Sequence, residues 1–201
     1  MTDDKLQQLL LDISIESPNL IVDEAISDEQ LSKLCCQIKE SSALHSLEFL
    51  SPAKIEVSGV EIIARQLLDA NCLLRLRVSH QALGDEGTEI LAKGLKHNRS
   101  LIELDLSSNN ISDTGILALS KALHNNQTLQ CLKLSNNDLI GKLENIDGKE
   151  VYIDQHDQGI VAFFKVLGRN NTLTELYLSK IKFGMASIDA FAEALIENAT
   201  L

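Results

Sequence analysis

Four asparagines carry the Asn-x-Ser/Thr pattern of a glycosylation acceptor: Asn98, Asn126, Asn170 and Asn198. In all four a leucine follows the Ser or Thr at once, which glycosylation does not require. A structural role explains that regularity, with Asn closing the end of a helix and Ser or Thr in the turn after it. Asp154, His156 and Asp157 place two carboxylates and an imidazole within one short stretch, the donor types of a metal site. Such spacing arises by chance in loops, and no metal is expected. The cysteines, Cys35, Cys36, Cys72 and Cys131, lack the paired spacing of a zinc site or a disulfide framework. Cys35 and Cys36, beside Leu34 and Ile38, read as buried thiols rather than a redox switch. The five histidines are scattered, and no nucleophile has a base at a useful spacing. No glycine-rich phosphate loop is present either. The expectation is a protein without catalysis and without a cofactor.

Bulk chemistry narrows the partners. Apolar residues make up 44% of the chain and aromatics only 3%, so the core is built of leucine and alanine. A net charge of −11 argues against nucleic acid and anionic membrane, which reward clusters of Lys and Arg. Residues 1–43 hold nine acidic and three basic side chains, over half of that excess. The opening MTDDKLQQLLLDIS is acidic where a secretory leader is basic, and no apolar run approaches the ~18 residues of a membrane span. A reduced, cytoplasmic protein is the expectation.

The elements that position these residues come from a repeat. Leu101-x-x-Leu104-x-Leu106-x-x-Asn109-x-Ile111, then Asp113-x-Gly115, Leu119, Leu123 and Asn126, returns 28 residues later at Leu129, Leu132, Leu134, Asn137 and Leu139. It also occurs 28 residues earlier, from Leu73 through Asp85 and Gly87 to Asn98. A unit of this length and pattern is a leucine-rich repeat. The Leu-x-Leu segment is a strand with its leucines inward, and the second half is a helix buried along one face. Asp85, Asp113 and Asp157 read as helix N-caps, and the glycine two residues on as a point of close packing between units. A helix capped at Thr2 or Asp3, with Leu6, Leu9 and Leu10 on one face, occupies 1–18 as an N-terminal cap. About six units then fill 19–201, the first with its strand near Asn19–Val22. The turns at Ser51–Pro52, Gln81 and Ile181 lack the asparagine. Unit two, from Leu44 to Cys72, is one residue longer than 28. Unit five spans 44 residues from Leu129 to Leu173, an insertion of 16 near 141–156.

The Asp-x-Gly half-unit followed by Leu-x-x-x-Leu-x-x-Asn resembles the ribonuclease-inhibitor-like subfamily of leucine-rich repeats. That resemblance implies an α/β right-handed solenoid, a horseshoe with a parallel sheet on the concave face and helices on the convex face. It also implies a protein partner. Proteins with such repeats include ribonuclease inhibitors, NOD-like receptor sensor regions, Ran GTPase-activating proteins and effectors of intracellular bacteria.

Stacking the units aligns equivalent positions about 4.8 Å apart. One column reads Glu48, Arg77, Asp105, Lys133, Tyr177, and its neighbour Ser46, Arg75, Glu103, Cys131, Glu175. The alternating signs fit either a ladder of ion pairs neutralising the sheet or a surface that reads a partner by charge. A third column, Leu50, Ser79, Ser107, Ser135, Ser179, is flat, and His80, Ser108, Asn136 and Lys180 line the strand exits beside it. In the insertion, Asp147-Gly148 between alternating runs signals a hairpin. Ile146, Lys149, Tyr152 and His156 are its expected partner contacts, with Tyr152 as anchor. The sequence therefore predicts a protein-interaction module using its concave face and its insertion, with an effector taking a host protein as the narrower reading. A regulator of an enzyme or small GTPase, and a protein self-associating weakly through its C-terminal edge, are the alternatives.

Overall fold

The computed structural model describes residues 1–14, 18–41, 44–51, 53–68, 73–139, 144–146, 149–151 and 157–201. Six short parallel strands form one open sheet: β1 (Asn19–Val22), β2 (Ser46–Phe49), β3 (Arg75–Arg77), β4 (Glu103–Asp105), β5 (Cys131–Lys133) and β8 (Glu175–Tyr177), in that spatial order. Each pairs with the next at the equivalent repeat position, so Leu20, Leu47, Leu76, Leu104, Leu132 and Leu176 form one inward row. The first five are at most 2% exposed. Burying one such side chain stabilises the fold by roughly 1.5–3 kcal/mol. The helices α2 (Asp28–Glu40), α3 (Val57–Ile63), α4 (Gly84–His97), α5 (Asp113–Leu123), α6 (Gln158–Arg169) and α7 (Met185–Glu197) return the chain on the convex side. Before β1, α1 (Asp3–Ser14) packs Leu6 and Leu9 into the core, and the Thr2 hydroxyl accepts from the Lys5 N–H as its cap.

Unit two carries a surplus residue at its strand exit: Ile55 comes eleven residues after Leu44, and its equivalents Leu83 and Ile111 come ten after Leu73 and Leu101, the N–H of each donating to a side-chain amide of the next unit. A π-helical turn, Ala64–Leu68, follows α3. The remaining insertion, in unit five, lies off the main sheet. Within it β6 (Glu144–Ile146) and β7 (Lys149–Val151) pair antiparallel, with Ile146 opposite Lys149, as the Asp147-Gly148 signal requires.

Strands three or four residues long leave most of each unit's backbone to be satisfied elsewhere, and two asparagine ladders do so in the central units. At the strand exit, the Asn109 carbonyl oxygen accepts from the Gln81 N–H at 2.9 Å, and Asn137 does the same for Asn109 at 2.9 Å. Their amides donate back to Val78 and Leu106 carbonyls at 2.8 and 3.0 Å. Gln81 replaces the asparagine without loss of this turn, since its longer side chain accepts from the Ile55 N–H at 3.0 Å. At the helix end, Asn98, Asn126, Asn170 and Asn198 donate to Leu68, Leu95, Leu123 and Leu167 carbonyls of the preceding unit. Their oxygens accept the N–H groups that open the next strand, as at Leu129 and Leu173, both 2.8 Å. Asn98 and Asn126 are at most 2% exposed, so their acceptor pattern is structural, as the repeat position indicated.

The Asp-x-Gly pair works between units, which corrects the expectation that each aspartate caps its own helix. Asp85 lies in the first turn of α4, whose N-cap position is Leu83. Its carboxylate instead accepts from the Ser112 and Gly115 N–H groups of the following unit, at 2.8 and 3.0 Å. Asp113 accepts in the same way from the Gly159 N–H at 2.7 Å. A Cβ on Gly115 would stand 2.6 Å from the Asp85 carboxylate, and one on Gly159 2.0 Å from the Asp113 carbonyl oxygen. Close approach of the preceding unit's aspartate, by its carboxylate or its backbone, therefore favours glycine at both positions. In the last unit Ser187 occupies the glycine position, its hydroxyl turned to the Gly184 carbonyl. One carboxylate oxygen of Asp157, buried at the N-cap of α6, finds no partner among the described residues.

Two outcomes follow. Asn126→Ala leaves the Leu95 carbonyl and Leu129 N–H without their side-chain partner and should lower unfolding free energy by about 2–4 kcal/mol, read from urea denaturation. Ser187→Gly opens the path from Asp157 to α7 and should raise it by about 1 kcal/mol, net of glycine's backbone entropy.

Candidate functional site

The concave columns form as the spacing required: Glu48, Arg77, Asp105, Lys133 and Tyr177 lie in one register, and Ser46, Arg75, Glu103, Cys131 and Glu175 in the next. Each strand's two flanking positions point away from the helices because the leucine between them is held in the core. Arg77 sits between two carboxylates, with its Nη1 2.8 Å from Glu48 and its Nε 3.3 Å from Asp105. Asp105 is buried and also accepts from the Ser107 N–H at 3.0 Å, so the guanidinium neutralises a desolvated charge.

Beyond Asp105 the ladder changes column. Lys133 reaches diagonally to Glu103 at 2.5 Å, and this bond is the main cause of a lysine pKa above its ordinary value. The same ammonium lies 5.6 Å from the centre of the Tyr177 ring, within cation–π range. The Tyr177 hydroxyl donates to Glu175 at 3.1 Å, and that carboxylate acceptor raises the phenol's pKa. Arg75 makes a weaker contact, donating to Asn19 at 3.4 Å two strands away. The face thus carries a paired, fixed centre, one cation in a weak contact, and an exposed aromatic toward β8.

Cys131 lies inside this arrangement. Burial, then the charge of Glu103, pushes its thiol up from 9.0 to about 11, so it stays protonated and unreactive at neutral pH. On α2, Cys35 is buried but Cys36 is exposed, which corrects the expectation that both were core. Adjacent positions on a helix point about 100° apart, and only Cys35 falls on the face shared with Leu31, Leu34 and Ile38.

The strand exits form a second feature. His80, Ser108, Asn136 and Lys180, at one repeat position, all adopt the left-handed backbone, with φ between 58° and 60°. The conformation lets the sheet's ladder extend one step further, the His80, Ser108 and Asn136 N–H groups donating to carbonyls of Ser107, Ser135 and Ser179. Asn110, Asn136, Asp138 and Lys180, with Asp85 and Ser112, line a polar groove of about 600 Å³. Asn110 and Asp138 were not singled out by the sequence columns, which stopped one residue short. Their signal was present, since each follows a ladder asparagine.

Ile146 and Lys149 occupy facing positions in the β6–β7 hairpin, while Tyr152 and His156 lie outside the described residues, as does Asp154. Among the described residues no group of three or more His, Cys, Asp or Glu side chains could hold a metal. No helix among them is long and apolar enough to cross a membrane.

A family model described as "Leucine Rich repeat" matches residues 97–120 and 125–142, the regular centre of the array. The fold is a leucine-rich repeat solenoid. No curated protein sequence matches the chain. Among solved structures, leiomodin-1 actin-binding site 2 is 17% identical at a TM-score of 0.48, covering 96% of this chain and 90% of that one. The tropomodulin C-terminal domain of Caenorhabditis elegans is 12% identical at a TM-score of 0.48, covering 98% and 93%.

The raised thiol gives a direct test. Cys131 should be alkylated by iodoacetamide about a hundredfold more slowly at pH 8 than an unperturbed thiol, and should catch up as pH passes 11. Peptide mass spectrometry after timed labelling reads both.

Proposed function

We infer that this chain is a non-catalytic protein-interaction module that holds a protein partner on its concave face and exit rim. The observation that carries this reading is the division of labour on the sheet. Glu48, Arg77 and Asp105 satisfy one another and form a rigid floor, while Tyr177, 45% exposed, and Arg75 remain available beside it. Exposed Tyr and Arg on a fixed scaffold are the residue types that anchor protein interfaces. The polar groove lined by Asn110, Asn136, Asp138 and Lys180 extends that surface to the rim. His80, Glu103, Lys133 and Glu175 complete the contact set, and Ile146, Lys149, Tyr152 and His156 are the insertion's share.

The 28-residue unit with a full helix supports assigning the repeats to the ribonuclease-inhibitor-like kind. The narrower role, an effector taking a host protein, uses this same surface and rests on the family resemblance.

Capture from host lysate, with variants, tests the reading. Arg75→Glu and Tyr177→Ala touch no buried partner and should each reduce capture of the retained protein about tenfold or more while leaving urea stability unchanged. Arg77→Glu strands buried Asp105 and serves as a control for folding loss. Excising 141–156 returns unit five to the 28-residue spacing, so it should preserve the fold and weaken capture. Undiminished capture by Arg75→Glu and Tyr177→Ala would remove the concave face from the account.

A further inference from the structure

The convex face carries charge opposite in sign to the chain as a whole. Arg65, Lys93, Lys121 and Lys165 are exposed, and the spacings between them, 28, 28 and 44, are those of the repeat, so four cations stand in one row across successive units. The C-terminal halves of α4, α5 and α6 hold Lys93, Lys96, Lys121, Lys165 and Arg169 and no carboxylate, in a chain of net charge −11. Helix dipoles favour cations in a last turn, which accounts for Lys96, Lys121 and Arg169; Lys93 and Lys165 lie before it. Among the described residues neither Lys93, Lys96 nor Lys121 comes within ion-pair distance of a carboxylate. Between α4 and α5 these cations border a groove of about 270 Å³. Lys93 and Lys96 stand on one bank and Lys121 on the other, above a floor of Ala92, Leu117, Ala118 and Ala122. Glu89, one turn before Lys93, also lines it. Ala92 and Ala122 are 4% and 2% exposed, so the apolar surface is recessed beneath the ammonium groups.

We propose that this groove docks an acidic amphipathic helix of a protein partner, laid along α4 and α5. The walls of the groove are helices whose backbone is paired internally, so an extended segment would find no N–H or C=O to bond there. A helix satisfies its own backbone. Alanines in the floor let such a helix approach closely, its apolar stripe seated on Leu117 and Ala118. Carboxylates on its two flanks then meet Lys93 and Lys96 on one side and Lys121 on the other. A bilayer surface is too flat to reach the recessed floor, and a phosphate backbone gains nothing from it. The groove lies on the face opposite the sheet and is independent of the partner-binding role above.

Fluorescence anisotropy tests it, using the 201-residue chain and a labelled synthetic helix. The probe is about 18 residues long, with leucines at i, i+3, i+4 and i+7 and glutamates on both flanks. The expected result is binding about tenfold tighter or more than that of a peptide of the same composition in shuffled order, or of one with glutamine for glutamate. Lys93→Glu and Lys121→Glu, at exposed sites, should each weaken binding about tenfold while circular dichroism and the urea midpoint stay unchanged. Ala118→Arg should abolish it by filling the floor, although it adds a cation. Arg75→Glu, on the concave face, should leave it unaltered. The proposal is overturned by equal binding of the ordered and shuffled peptides, by undiminished binding in both lysine variants or in Ala118→Arg, or by weakening in Arg75→Glu. Binding to phosphatidylserine vesicles or duplex DNA as tight as to the peptide also overturns it.

Discussion

Unsatisfied backbone is the constraint on which the rest depends. A unit of 28 residues with a three-residue strand cannot pair its own N–H and C=O groups through the sheet alone, and burying them unpaired would cost more than the leucine core returns. Asparagine resolves this because one short side chain both donates and accepts. At Asn126 it donates to Leu95 and Asn98 carbonyls and accepts from Thr128 and Leu129. Asn109 and Asn137 repeat the device at the other end of the strand. The leucine rows then fill a space whose walls are already set.

That frame decides what the concave face can do. The register of the sheet places the side chains of Glu48, Arg77 and Asp105 within bonding distance without any contribution from loops. A face held this way is pre-organised, so a partner would meet it without first ordering its side chains. The exit rim carries the left-handed residues and the groove.

Much of this was legible in the sequence because a fixed period converts position into neighbourhood. The spacing of 28 was enough to align Arg75 with Glu103 and Arg77 with Asp105. What escaped depends on reach and direction. Lys133, long and flexible, prefers Glu103 diagonally to Asp105 in its own column. Asp85 and Asp113 lie at positions where capping either their own helix or the next satisfies the same pattern, and only three dimensions distinguish them. Left-handed backbone at Lys180 had no compositional mark, since lysine does not favour it.

The carboxylate ladder has a direction: Asp85 and Asp113 each serve the helix that comes after their own in the chain. During synthesis from the N-terminus, a helix leaving the ribosome therefore meets its cap already folded on the unit before it. The array can grow one turn at a time on a finished template, with no need to wait for residues not yet made.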